Sequence, residues 1–250
     1  MSIETLPCGY LDETDTLIRE IELEEMTGYE EDILGDRSKS KSGRSVDEVL
    51  ARCVKRLGDT VRKDTDVRQR GLTFLPAVKR MRMPDRTFLL IRLRQLSLGD
   101  IFAFPITCES CKHHMERVEV DLSSLEVVEM AEPHQVAWDV TLPSGKVASF
   151  RELHGEDEAK LRRIVKEKKD SLLSSILSLR VTELDGEKAT IPHLKSLTKR
   201  DRDFLREKFD SVEGGIDTEI KIGCDECGAE FKTALPVGEE SFFFPSGMKV

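Results

Sequence analysis

Ile106-Thr107-Cys108-Glu109-Ser110-Cys111 and Ile222-Gly223-Cys224-Asp225-Glu226-Cys227 are two Cys-x-x-Cys turns, each entered from a segment with strand-like character. Such a turn brings two thiolates within reach of one tetrahedral metal, and two turns complete a four-sulfur shell. The turns lie 116 residues apart (224 − 108). The same offset aligns the chain upstream without a gap. Pro76 meets Pro192, Lys79 meets Lys195, Asp85-Arg86 meets Asp201-Arg202, Phe88-Leu89 meets Phe204-Leu205, and Ile106 meets Ile222. Further upstream, Leu23-Glu24-Glu25-Met26-Thr27-Gly28-Tyr29-Glu30-Glu31 resembles Phe150-Arg151-Glu152-Leu153-His154-Gly155-Glu156-Asp157-Glu158, at an offset of 127 (155 − 28).

These correspondences read as an internal duplication, with a first repeat over 1–130 and a second over 131–250. The two offsets differ by 11 residues (127 − 116), which implies an insertion in the first repeat between Gly28 and Pro76. The Ser/Lys/Gly-rich segment Gly35–Ser45 has that length and the composition of a mobile loop.

Each repeat reads in one order. A strand (Thr16–Leu23; Lys146–Phe150) leads to a turn with acidic residues suited to a helix N-terminus. A helical region follows. In the first repeat Val46, Val49, Leu50, Cys53, Val54 and Leu57 share one helical face, and in the second Leu172, Leu173, Ile176, Leu177 and Leu179 play the same part. A Pro-bearing stretch then opens a second helix, where Asp85 and Asp201 can cap exposed N–H groups. A β-ribbon carrying the Cys-x-x-Cys closes each repeat, over Ile101–Ile106 and Met115–Val120, and over Thr218–Ile222 and Glu230–Leu235. The expected class is α+β. A duplicated strand–helices–ribbon unit forms one compact pseudo-two-fold assembly, its ribbons joined at one zinc site.

The N-terminus is acidic and lacks an apolar run, so it does not read as a secretory signal. No run of 18 apolar residues predicts a membrane helix. Six cysteines in a reducing compartment then favour metal or redox chemistry over structural disulfides. A redox Cys-x-x-Cys opens a helix, where the dipole lowers a thiol pKa, whereas both turns here lead back into strand-like sequence. Gly228 permits the positive φ of a zinc-knuckle turn, and Lys112 departs from it. The preferred site is a closed four-thiolate shell of Cys108, Cys111, Cys224 and Cys227 holding a structural zinc, with iron the other metal left open. A rival local site would use His113 or His114, but Ala229 and Glu230 stand at those places in the second repeat. Cys53 reads as core, and Cys8 stands alone.

Charge is polarised. Residues 1–36 hold 12 acidic residues against Arg19 alone, and residues 51–94 hold 13 basic residues against four acidic ones. One reading pairs these faces within the fold; the other offers a basic surface to an acidic partner. A net charge of −9 argues against a general nucleic-acid binder. No Walker loop, dinucleotide fingerprint, HExxH or GxSxG motif is present, and no pair of carboxylates stands out, so an enzyme is not expected.

The segments Arg19-Glu20-Ile21-Glu22-Leu23-Glu24-Glu25-Met26-Thr27-Gly28-Tyr29-Glu30-Glu31-Asp32, Leu96-Ser97-Leu98-Gly99-Asp100 and Phe242-Phe243-Phe244-Pro245-Ser246 resemble the baseplate hub and assembly proteins of contractile-tailed bacteriophages of the T-even type. The resemblance covers most of the chain. It implies a structural or assembly role in the tail baseplate, within a hetero-oligomer whose other members include hub and tape-measure subunits. It implies a location in the virion tail or, during assembly, the host cytoplasm. It leaves open a tail assembly chaperone absent from the mature particle. The Phe242–Phe244 group reads either as a core plug or as an anchor in a partner's groove. The competing class is a zinc-ribbon nucleic-acid-binding or transcription-associated protein using the basic segment 51–94. Its ribbons would need basic and base-stacking residues that are scarce here.

Overall fold

In the computed structural model of the chain, the described residues are 1–36, 38–39, 44–64, 66, 69–167 and 171–244. The first half runs β1 (Ser2–Leu11), β2 (Leu17–Leu23), α1 (Gly28–Gly35), α2 (Arg44–Cys53), β3 (Val54–Leu57), β4 (Thr60–Val61), α3 (Leu75–Arg80), α4 (Met83–Leu98) and the ribbon β5 (Ile101–Thr107)–β6 (His114–Asp121). After β7 (Val127–Val128) come β8 (Ala137–Thr141), β9 (Val147–Arg151), α5 (Gly155–Glu167), α6 (Leu172–Arg180), β10 (Val181–Leu184) and β11 (Glu187–Lys188). The chain closes with α7 (Ile191–Ser196), α8 (Lys199–Val212), β12 (Gly215–Ile216), the ribbon β13 (Glu219–Gly223)–β14 (Glu230–Ala234) and α9 (Glu240–Phe243). The class is mixed α and β. Strands β1 to β4 form one antiparallel sheet in chain order, and β8 to β11 form another.

Local sequence accounts for the main boundaries. The Glu30 carboxylate accepts from the Thr27 N–H (2.9 Å) and hydroxyl (2.6 Å), closing the first turn of α1. At α8 the Asp201 carboxylate takes the Thr198 hydroxyl at 2.8 Å, as a helix cap should. Asp85 does something else: it accepts the Cys8 N–H of β1 at 2.8 Å, tying the strand to α4. Two further expectations are corrected. The apolar face from Val46 stops being helical after Cys53, because Val54 and Leu57 pair with Leu23 and Ile21 of β2 as strand β3. Each half opens with a hairpin rather than one strand.

An offset of 127 carries β3 onto β10 (Val54 to Val181, Leu57 to Leu184) and β4 onto β11. Both pairings to the preceding strand even skip one residue at the same place, Lys55 in one and Thr182 in the other. The connection from β4 to α3 (62–74, 13 residues) is eleven residues longer than the one from β11 to α7 (189–190, 2 residues). Residues 37 and 40–43 of the segment expected to be the insertion lie outside the described residues. Asp64 organises the β4–α3 connection by accepting the N–H groups of Gly71 and Thr73, each at 3.1 Å.

Two apolar cores form, and each borrows across the midpoint. The larger takes Ile216, Ile220, Ile222, Leu235, Phe242 and Phe243 from the chain's last quarter. The smaller, around Trp138, Phe150, Leu177 and Phe209, takes Cys8 from β1.

Charged residues seal the junction between the halves. Arg86 is almost fully buried, and it donates to Val78 O (2.8 Å), Asp47 Oδ1 (2.7 Å) and Glu158 Oε2 (2.9 Å). Arg82 donates to the carbonyls of Cys8, Gly9, Pro133 and Gln135 at 2.9–3.2 Å while facing Glu152. Backbone bonds Met83 N–H to Leu153 O and Gly155 N–H to Met81 O complete the seam. Burial pushes the Glu152 carboxyl up to about 7, with Arg82 pulling it down only in part, and pushes Asp85 up to about 6. A carboxyl raised in the folded state binds its proton more tightly than in the unfolded chain. Its contribution to stability is therefore present below the ordinary carboxyl range and lost as pH rises through about 6 to 7. Chemical denaturation should show stability falling by about 1–3 kcal/mol between pH 5 and 7.5. Glu152→Gln should flatten that slope; an unchanged slope would remove Glu152 as its source.

Candidate metal centre

Both ribbons end in the same turn. Cys108 N–H donates to His113 O (2.8 Å) and Lys112 N–H to Cys108 O (3.1 Å). In the second ribbon Cys224 N–H donates to Ala229 O (3.0 Å) and Gly228 N–H to Cys224 O (2.9 Å). The turn requires a left-handed residue after the second cysteine: Gly228 takes φ 70° and Lys112 takes φ 63°. Lys112 thus adopts the conformation its side chain disfavours, and the two turns keep one shape despite the sequence difference.

The four thiols converge. Their Sγ atoms all lie within 4.8 Å of one another. Cys108 Sγ stands 3.8 Å from Cys227 Sγ, and Cys111 Sγ stands 3.7 Å from Cys224 Sγ. In both contacts the first cysteine of one turn meets the second of the other, the pattern that a two-fold exchange of the ribbons produces. A tetrahedral zinc with Zn–S of about 2.3 Å separates its sulfurs by about 3.8 Å, so the donor set fits such an ion. Cys108 and Cys224 are buried, and Cys111 and Cys227 are exposed.

The electrostatics of the thiols favour a cation. The N–H groups of Cys111 and Ser110 hold the Cys108 thiol down at about 7, against burial. The His113 N–H also pulls Cys111 down, but burial and the thiols of Cys227, Cys224 and Cys108 outweigh it and push Cys111 up to about 12. One thiolate thus forms readily and opposes the next. A divalent ion removes that repulsion and deprotonates the set.

The histidines stand aside. His113 Nε2 faces Asp225 Oδ1 at 3.3 Å, and His114 Nδ1 lies 3.1 Å from the Thr107 hydroxyl. The apolar roots of both ribbons lie in the larger core, through Phe102, Met115, Ile220, Ile222 and Leu235. Cys53 is a core residue of α2, and burial drives its thiol far up.

The basic segment 51–94 turns inward. Arg52 meets Glu30 (2.7 Å), Lys55 meets Glu22 (2.7 Å), Arg56 meets Glu20 (2.6 Å), and Arg62 and Arg70 both meet Glu24. Arg80 meets Glu13 (3.1 Å) and Arg92 meets Glu4 (3.4 Å). Seven of the segment's thirteen basic residues thus pair with acidic residues of 1–36 within the chain. Phe242 and Phe243 also turn inward. Phe242 is buried against Phe102 (ring centroids 5.0 Å apart), and its carbonyl accepts Arg94 Nε at 2.9 Å. Pro245 and Ser246 lie outside the described residues.

Sequence reading missed the junction residues Arg82, Arg86, Glu152 and Glu158. The signal was present, since Arg86 recurs as Arg202 and Glu152 and Glu158 recur as Glu25 and Glu31. Among the described residues no helix is long and apolar enough to cross a membrane. A family model described as T4 bacteriophage base plate protein matches residues 7–244. No curated protein and no solved structure matches the chain.

Proposed function

The chain belongs to the T4 bacteriophage base plate protein family, and from that premise we propose that it works in the hub region of a contractile-tail baseplate by docking to other baseplate proteins, as a duplicated scaffold stapled by one structural zinc. The observation that carries the zinc is the convergence of four thiols from two distant ribbons at tetrahedral spacing. All four positions of the shell are taken by Cys108, Cys111, Cys224 and Cys227, so the ion has no open site for chemistry and supplies cross-linking alone. The duplication is supported by the recurring element order, the constant 127-residue spacing from α1 to β4 and the shared skipped residue in β3 and β10.

The zinc-ribbon nucleic-acid reading loses its main support, because the basic segment is spent on Glu4, Glu13, Glu20, Glu22, Glu24 and Glu30. Two measurements test the proposal. Elemental analysis of the purified chain should find one zinc per molecule; none, two, or iron in its place would reject this metal centre. Mass spectrometry of purified virions should find the chain in the particle, together with hub and tape-measure subunits. Its absence from mature particles would reject the structural role and leave assembly.

A further inference from the structure

The seam between the halves has an unused counterpart at each end of the molecule. Within the chain, Glu152 just before α5, and Gly155 and Glu158 on it, face Arg82 and Arg86 of the first half. Gly155 is needed there, since a Cβ would fall 2.6 Å from Arg86 Nη1. At the 127-residue spacing the same three residue types recur before and within α1, as Glu25, Gly28 and Glu31. All three are exposed, and neither glutamate has an ion pair among the described residues. A Cβ on Gly28 would meet nothing within 4 Å, and its φ is not left-handed, so the chain's own fold gives no reason for glycine there.

The opposite end lacks the complementary partner. Arg86 recurs as Arg202 on α8, half-buried and without an ion pair among the described residues, although Arg86 engages two carboxylates. Apolar exposure follows the same rule. Leu173 on α6 is 60% exposed where its counterpart Val46 is 3% exposed. Tyr29, next to Gly28, is 58% exposed.

We propose that α1 of one copy docks on the α6–α7–α8 face of a second copy, with Glu31 meeting Arg202 across Gly28 and with Tyr29 brought to the face that exposes Leu173. The contact repeats between chains what α5 makes with α2, α3 and α4 inside one chain. It rests on the duplication proposed above. The occupant is a second copy because the docking element at one end carries the residue types that its own internal seam selects at the other. Such a head-to-tail contact uses two different patches, so it builds rings or open rows rather than a closed two-fold dimer.

Sedimentation velocity of the zinc-loaded full chain over a concentration series tests the contact. Wild type should associate into dimers and larger species. Glu31→Arg alone and Arg202→Glu alone should each weaken association about tenfold or more, and E31R/R202E in one chain should restore it. Both side chains lie off the cores, so circular dichroism should be unchanged in every variant. A wild type that stays monomeric, or single variants that associate as wild type does, would overturn the docking. The premise fails separately: an experimental structure in which residues 17–61 and 144–188 do not superpose would overturn the duplication, whereas superposable halves in a monomer overturn the docking alone.

Discussion

Cys224→Ser should abolish stoichiometric metal binding and lower Tm by about 10 °C or more. The estimate combines a structural zinc, whose binding free energy becomes folding free energy, with the response of a chain this size, in which about 1 kcal/mol moves Tm by about 2–4 °C. The fall should stop short of global unfolding, because both ribbons also bury apolar roots in the larger core. The informative part is where order is lost. Cys224 lies 3.7 Å from Cys111, on a ribbon the chain reaches 113 residues earlier. One shared ion predicts that hydrogen exchange rises in β5 and β6 as well as in β13 and β14. Exchange that rises only near residue 224 would show that the ribbons do not share an ion. Chelation of the wild type should reproduce the same map.

Arg86→Met should destabilise the fold by about 3–5 kcal/mol, the range seen when one partner is removed from a buried ion pair. Asp47 and Glu158, with side chains 13% and 12% exposed, would keep their charges with no guanidinium between them. Burial already pushes Asp47 up from its ordinary value, so part of the loss should appear as proton uptake at neutral pH. Arg86→Lys should recover only part of the stability, because an ammonium cannot reproduce the planar fork that serves Val78 O, Asp47 and Glu158 together. Urea unfolding decides the case: a loss below about 1 kcal/mol for Arg86→Met would show that the seam is held by the backbone bonds and apolar contacts instead.

The four-cysteine cluster, the ribbons and most of the helices were legible because their signals are local. A Cys-x-x-Cys and a run of alternating residues need no knowledge of the rest of the chain. The proposed repeat rests on a different kind of signal, the agreement of offsets along the chain. What stayed hidden depends on pairing. Val54 and Leu57 continue the helical period of Val49 and Leu50, and only β2 alongside turns them into a strand. Composition marks Gly35–Ser45 as a loop, whereas the matching skipped residue in the pairing of β3 and β10 is a signal of register that only the sheets supply. Asp85 looked like a helix cap and is instead a ligand for a strand 77 residues away. Arg86 and Arg202 hold matching places in the sequence, and nothing in the sequence alone distinguishes the buried arginine from the half-buried one.

The larger core is completed by residues made long after the strands and helices they cover. Arg94 waits for the Phe242 carbonyl, 148 positions later, and Cys108 for Cys227, 119 positions later. Chains emerge N-terminal end first, and contacts of such separation form slowly. The first half therefore spends most of its synthesis with an open hydrophobic face and half of a metal shell. A ribosome-stalled chain ending near residue 215 should be protease-sensitive and unable to retain zinc, and emergence of residues 216–243 should close core and metal shell in one step.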